Sequence, residues 1–173
     1  MNHNDIDITE AIIHDDYIRI KQAIKKGLDL EQIVENELNE NEESLLFYAL
    51  HHKCSFETIK LLIDNGADIY RCDEQGVSLL DEAIISGSLE LVKYLVHEKG
   101  LDVNKTARKS GFTPLMQAAS YGYTEIVDFL LEQGADIHAR DNSDMDVIDY
   151  TKKLQKKTMQ KHLEAYLESV QGK

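Results

Sequence analysis

Residues 111–139 read GFTPLMQAASYGYTEIVDFLLEQGADIHA, and this stretch decides the fold. Thr113 precedes an apolar run and can cap a helix, with Pro114 at the first helical position, where a missing N–H costs nothing. Gly122 ends this short helix, and Thr124 can cap a second one. The stretch therefore predicts two short helices followed by an extended loop.

The same pattern recurs along the chain. Four similar phrases begin at Gly27, Gly66, Gly100 and Gly134, with spacings of 39, 34 and 34 residues. A second phrase precedes each of the last three, beginning at Ser44, Ser78 and Thr113. Each glycine of the first set can end a helix in the left-handed conformation that only glycine adopts at low cost. A pair of short helices cannot bury its apolar stripe alone, so the period predicts stacked units that stabilise one another.

The stretch at 111–139 resembles a nearly consensus ankyrin repeat, and the rest of the chain resembles it less closely. The resemblance, to small bacterial ankyrin-repeat proteins, implies an all-α solenoid of helix-turn-helix units with short β-hairpin-like loops. It also implies one domain over residues 1–173. We expect residues 1–38 to form a divergent N-terminal capping repeat with an acidic junction, residues 39–72, 73–107 and 108–140 to form central repeats, and residues 141–173 to form the C-terminal cap.

Three departures from the family pattern bear on the structure. The family often has histidine after Thr-Pro-Leu, where it bonds between repeats. Here that position holds Phe47, Asp81, Met116 and Asp149, so this bond is not expected. The unit at 73–107 is two residues longer than a typical repeat. The junction at 31–43 has six acidic residues and no basic one, and we expect it to be a long loop.

Charge and cysteine content narrow the class of partner. The net charge of -13 repels phosphate backbones and anionic lipid, which argues against nucleic-acid or membrane partners. Two cysteines outside any CxxC pair suggest neither a disulfide framework nor a zinc site. The first residues lack the pattern of a signal peptide. These features predict a cytoplasmic protein.

Catalysis finds no support in the sequence. There is no GxSxG, HExxH or phosphate-binding glycine loop, and the glycines are accounted for by helix ends. Residues 141–146 have some acidic side chains of a calcium loop but lack its central glycine and distal glutamate. We therefore predict that the chain is not an enzyme and carries no metal or cofactor.

The leading functional hypothesis is a monomeric protein-interaction module. Its partner, another protein, would bind the concave face that the family forms from loop tips and first helices. Exposed aromatic and arginine side chains are typical binding anchors. The predicted contact residues are Tyr70, Arg71, Val77, Phe112, Ser120, Tyr121 and Arg140. Tyr48 and Tyr123 can either join this face or pack between repeats, and Lys105, Arg108, Lys109 and Arg140 form a predicted basic patch.

Two alternatives come from other functional classes. The first is a haem- or metal-handling accessory protein, for example one that assists a catalase, because small bacterial ankyrin proteins of this size are associated with catalases. Its candidate ligands are His51, His52, Cys54 and Tyr70. The second is an architectural role as a homo-oligomeric scaffold.

Overall fold

The computed structural model of the protein describes residues 7–36 and 41–171. It contains two compact units, Met1–Arg71 and Cys72–Lys173. The division falls within one residue of the predicted boundary between the repeats at 39–72 and 73–107. None of the helices in the described ranges is both long and apolar enough to cross a membrane. That residues 1–173 form a single domain stays a prediction.

The first unit has two helix pairs separated by a β-hairpin. Its elements are α1 (Ile8–Ile13), α2 (Tyr17–Lys25), β1 (Ile33–Asn36), β2 (Asn41–Ser44), α3 (Leu45–His51) and α4 (Phe56–Asp64). The helices pair α1 with α2 and α3 with α4, while α3 also contacts both strands. Asp16 caps α2, as its sequence predicts, by accepting a hydrogen bond from the Arg19 backbone N–H.

The second unit contains three further helix pairs. Its elements are α5 (Leu79–Ile85), α6 (Leu89–Lys93) continuing into a π-helical turn (Tyr94–Glu98), α7 (Pro114–Tyr121), α8 (Thr124–Glu132), α9 (Val147–Lys153) and α10 (Lys157–Gln171). The first helices pack in a row, with α7 between α5 and α9, and the second helices α6 and α8 also contact each other. Ala83 and Ala118 are fully buried in this row, where small side chains permit close approach. The predicted helix-turn-helix units are therefore present.

Helix α7 forms for the reasons that the sequence suggests. The Thr113 side chain accepts from the Met116 backbone N–H at 3.2 Å, Pro114 takes the first helical position, and Gly122 ends the helix at φ 84°. The cap predicted for α8 is wrong by one residue. Tyr123 is the N-cap and Thr124 is already helical, so α8 begins without a side-chain cap.

The recurrent Gly-x-Asp phrase has a second role besides ending helices. In each copy the aspartate accepts a hydrogen bond from the backbone N–H two residues later, at 2.8–2.9 Å. The four donors are Glu31, Tyr70, Asn104 and His138. This local turn leads the chain outward after each second helix, because the aspartate substitutes for a backbone acceptor.

The acidic junction is not the long loop expected from its sequence. Strands β1 and β2 form an antiparallel hairpin in which Ile33 pairs with Ser44 and Glu35 with Glu42. Ser44 then caps α3 by accepting from the Phe47 N–H. The residues added at this junction thus build a hairpin that contacts α3.

The π-helical turn accounts for one of the two extra residues in the unit at 73–107. From helix N-cap to glycine the separation is 12 residues for Ser88 to Gly100 and 11 for Tyr123 to Gly134. The Lys99 N–H donates to the Tyr94 carbonyl five residues back. A π turn holds one more residue than an α turn over the same rise, so the added residue leaves the following glycine in place at φ 71°.

Deleting Lys99 should therefore convert the π turn to an α turn and change the free energy of unfolding by no more than about 1 kcal/mol. Deletion of Gln133, the equivalent residue of the next repeat, is the matched control. It should cost far more, because α8 has no surplus residue and Gly134 would lose its place at the end of the helix. Urea denaturation of the two variants makes the comparison, and equal losses would contradict this role of the turn.

Candidate partner-binding surface

A buried ion pair joins two successive repeats beside the predicted contact residues. Asp81 is fully buried, and its carboxylate accepts hydrogen bonds from the Ser78 N–H and hydroxyl at 2.9 and 2.7 Å. Its other oxygen lies 3.3 Å from Arg108 Nε, in the loop of the next repeat. Asp81 stands where the family often has histidine. The histidine that often bonds between repeats is absent here. A carboxylate and a guanidinium join the two repeats instead.

The same arginine helps to hold Phe112. The Arg108 guanidinium lies 5.7 Å from the Phe112 ring centroid, and that ring meets Tyr150 edge to face at 4.8 Å. Tyr150 in turn donates its hydroxyl to Asp141. Burial, followed by this bond, raises the pKa of Tyr150 to about 12, and the same bond is the largest cause of a lowered pKa at Asp141. Phe112 is therefore half-buried and fixed in place.

Tyr121 is the most exposed aromatic side chain described in the second unit, at 45%. Its ring stacks on that of Tyr123 with centroids 5.4 Å apart and an angle of 7° between planes. Tyr123 lies against Gly87, where an added Cβ would come within 3.2 Å of the tyrosine ring. Tyr123 thus packs between repeats and supports Tyr121. Neighbouring Ser120 is half-buried, and its hydroxyl oxygen has no hydrogen-bond partner among the described residues.

The two arginines of the predicted basic patch form ion pairs with carboxylates of the protein itself. Arg140 is exposed, but its guanidinium lies 3.4–3.9 Å from carboxylate oxygens of Asp144, Asp146 and Asp149. Arg108 is paired with Asp81. Of the four predicted basic groups, both arginines thus have internal carboxylate partners, so the patch offers a partner less positive charge than its sequence suggests.

Val77 was predicted to contact a partner, and the structure corrects this, because its side chain is only 8% exposed. Its backbone N–H donates to the Asp73 side chain, and its carbonyl accepts from the Asp73 N–H. This closed turn directs the valine side chain inward. Tyr48, on α3 of the first unit, is also buried, at 3% exposure.

In the first unit, Tyr70 and Arg71 lie in the loop after α4. Tyr70 is 69% exposed, the highest exposure among the large hydrophobic side chains described. Arg71 pairs with Glu31 at 3.7 Å, and Glu31 also accepts from the Asp68 backbone N–H at 2.9 Å. The loop that carries Tyr70 is therefore tied to the preceding repeat. Asn104 makes the equivalent link in the second unit by accepting from the Asp136 N–H.

The candidate haem and metal ligands each have a structural environment in the first unit. His51 Nδ1 lies 2.6 Å from Glu43 Oε2, and the His52 ring lies 4.3 Å from the Tyr48 ring. The Cys54 thiol donates to the Ile12 carbonyl, and burial raises its pKa to about 12. Within residues 7–36 and 41–171, no three His, Cys, Asp or Glu side chains are grouped so as to hold a metal ion. Burial of the Cys54 thiol therefore disfavours the thiolate form in which cysteine binds metals.

Similarity to known proteins agrees with this architecture. The family model described as ankyrin repeats (many copies) matches residues 46–96 and 80–131. Palmitoyltransferase AKR1 of Lachancea kluyveri is 37% identical over 126 residues, which are 66% of this chain and 17% of that protein. Ankyrin repeat and SAM domain-containing protein 6 of Rattus norvegicus is 38% identical over 96 residues, 55% of this chain and 11% of the relative.

A third relative is a toxin by its name. Alpha-latrocrustotoxin-Lt1a of Latrodectus tredecimguttatus is 37% identical over 91 residues, 53% of this chain and 6% of the toxin. The chain thus spans less than a fifth of the length of each of these three relatives. The residues matched by the family model carry the helix pairs from α3 to α8. We conclude that the chain contains ankyrin repeats, which the family model places at residues 46–131.

Proposed function

We propose that this chain is a non-catalytic module that binds another protein through the side of its loop tips and first helices, which is the concave face of the family. Ankyrin repeats are in general protein-interaction modules without catalytic residues. The observation that carries the proposal is Tyr121, which is exposed and backed by a stacked ring. A large side chain held in one position loses little entropy on binding.

The other predicted contact residues enter the proposal with different weights. Tyr70 is a second exposed anchor, on the first unit. On the second unit, Phe112 and Ser120 are half-buried and would add to the contact with Tyr121, and exposed Arg140 would form polar contacts. On the first unit, exposed Arg71 would do the same beside Tyr70. Tyrosine and arginine are the residues most often found at binding hot spots, where truncation costs about 2 kcal/mol or more.

The proposed setting is the cytoplasm, and the proposed state is a monomer. Both described cysteines are free thiols, which fits a reducing compartment. We do not propose the haem-handling or scaffold alternatives. His51, His52 and Cys54 already have structural contacts, and no observation on the described residues favours self-association.

A photo-crosslinking residue at position 121 tests the proposal. In cells that make the protein naturally, it should form a covalent adduct with one protein partner, whereas the same residue at position 132, at the end of α8, should not. The Tyr121→Ala variant should then bind the identified partner at least about tenfold more weakly, because a hot-spot contact is lost.

The matched control is Glu132→Ala, which removes an exposed side chain from a second helix. Circular dichroism should be the same for both variants, because neither residue belongs to the buried core. Capture of the partner that survives Tyr121→Ala at full affinity, or adducts formed equally from position 132, would place the binding surface elsewhere.

A further inference from the structure

The hairpin β1–β2 is held at its base, where both strands join the rest of the first unit. Just before β1, Glu31 accepts from the Asp68 N–H and pairs with Arg71. At the end of β2, Glu43 lies 2.6 Å from His51 of α3, and Ser44 caps that helix. Both strands also contact α3. The hairpin is therefore a positioned element on the first unit.

The outer face of this hairpin carries an unfavourable pair. Glu35 lies directly opposite Glu42 in the register, and both side chains are exposed. Side chains so paired have Cβ atoms about 4.5–5.5 Å apart, and like charges in these positions repel. Within the described ranges neither carboxylate has an ion-pair partner. A feature that lowers stability and has no structural benefit is typical of a functional site.

The strands also have unpaired edges. The sheet contains only β1 and β2, so no third strand of the described chain pairs with either. An unpaired edge presents backbone N–H and carbonyl groups that can add another strand. Strand β2 runs directly into α3, whereas β1 places the exposed side chain of Ile33, at 46%, two residues before Glu35. These two residues point to the same face because strand side chains alternate.

We propose that the edge of β1 docks an extended, basic segment of a partner protein as a third strand. A lysine or arginine of that segment would lie beside Glu35 and within reach of Glu42, relieving the repulsion between them. An apolar side chain two residues away would cover Ile33. The recognised pattern is therefore basic-x-apolar in extended conformation, and its positive charge complements Glu35 and Glu42.

This proposal does not rest on the surface around Tyr121, so each can fail without the other. The probe, called the paired peptide, is an octapeptide of two lysines, two valines, two lysines and two valines, in which a valine lies two residues from each lysine. Two control peptides have the same composition: one in which single lysines and valines alternate, so that no valine lies two residues from a lysine, and the paired peptide with every backbone amide methylated. A third control tests the paired peptide on the Tyr121→Ala variant.

The paired peptide should bind saturably to the full chain and to Tyr121→Ala alike, and should shift the backbone amide NMR signals of Ile33 and Glu35. The double variant Glu35→Gln with Glu42→Gln should weaken binding about tenfold, because two ion pairs are lost. The double variant Glu57→Gln with Glu132→Gln has the same net charge and should bind within about twofold of the original chain.

Three results would overturn the proposal. They are no saturable binding of the paired peptide, equal binding of the single-residue alternating peptide or of the methylated peptide, and equal loss of affinity in the two double variants. The second would reveal general attraction of a cationic peptide to an acidic protein. The third would show that total charge, and not the Glu35–Glu42 pair, governs binding.

Discussion

Replacing Gly76 by alanine should lower the free energy of unfolding by about 3 kcal/mol, and replacing Gly134 should lower it by about 1 kcal/mol. Both glycines have positive φ, 81° at Gly76 and 86° at Gly134. An L-residue in that region costs about 1–2 kcal/mol, and this cost is common to the two variants. The expected difference comes from what surrounds the added methyl group.

A Cβ on Gly76 would come within 2.0 Å of the Ala107 carbonyl oxygen and 2.9 Å of the Arg108 Cα. These are backbone atoms at the junction with the next repeat, so relief requires the loop at Gly76 and this junction to separate. A Cβ on Gly134 would meet nothing within 4 Å. Overpacking of this kind typically costs a further 1–3 kcal/mol.

Urea denaturation of both variants measures the difference at an unchanged denaturant slope. Since Gly76 lies beside Arg108, the Gly76→Ala variant should also lose part of the contact between Arg108 and Asp81. If the two glycine variants lose equal stability, the close approach of the two loops in the second unit is not an obstacle to a side chain.

Local chemistry made the repeats predictable. Each helix end is determined by residues close to it, such as a glycine, a capping side chain or, in α7, the proline at the first position. The structure has the predicted helix pairs for this reason. Even the displacement of the α8 cap from Thr124 to Tyr123 is a shift of one residue at a helix end, where local signals compete closely.

The acidic junction could not be predicted in the same way. Its apolar residues are Ile33, Val34 and Leu38 among six glutamates, and a run of glutamates is typical of a solvated loop. Strand formation here depends on contact with α3, including the pair between Glu43 and His51. These contacts join residues that the sequence places in different elements, so tertiary packing overrides the local preference.

The candidate site was predicted in part, for a related reason. Exposure of Tyr70 and Tyr121 agrees with their positions at a loop and at the end of a first helix. Val77 lies in a loop as well, but its turn with Asp73 directs it inward. The internal pairing of Arg140 depends on carboxylates four to nine residues away, whose direction a charge count does not give. Loop position alone therefore does not separate contacts from core.

Replacing Asp81 by alanine should cost about 3–5 kcal/mol of unfolding free energy, the largest loss expected for a polar side chain of this protein. The carboxylate is fully buried and satisfies Ser78 twice. It is also the carboxylate partner of Arg108, whose side chain is only 18% exposed. Truncation therefore leaves the Arg108 guanidinium with most of its surface out of water and without its counter-charge. The free-energy cost of taking that charge out of water is then no longer offset.

Asp149 is the matched control, because it occupies the same position of the capping box two repeats later. Its side chain is 38% exposed, and the ion pairs that it makes with Arg140 and Lys152 reach water. Asp149→Ala should therefore lose only a helix cap, about 1 kcal/mol. Comparable losses at positions 81 and 149 would show that burial of the first carboxylate contributes nothing beyond its cap.

The double variant Asp81→Leu with Arg108→Leu compares the attraction between the two charges with the free-energy cost of burying them. If the ion pair mainly offsets the cost of burying two charges, the double variant should be more stable than Asp81→Ala, since no unpaired charge remains. Stability that falls by the sum of the two single substitutions would instead mean that Asp81 and Arg108 act independently. The pair replaces the inter-repeat histidine bond of the family, so a positive coupling identifies it as the link between these two repeats.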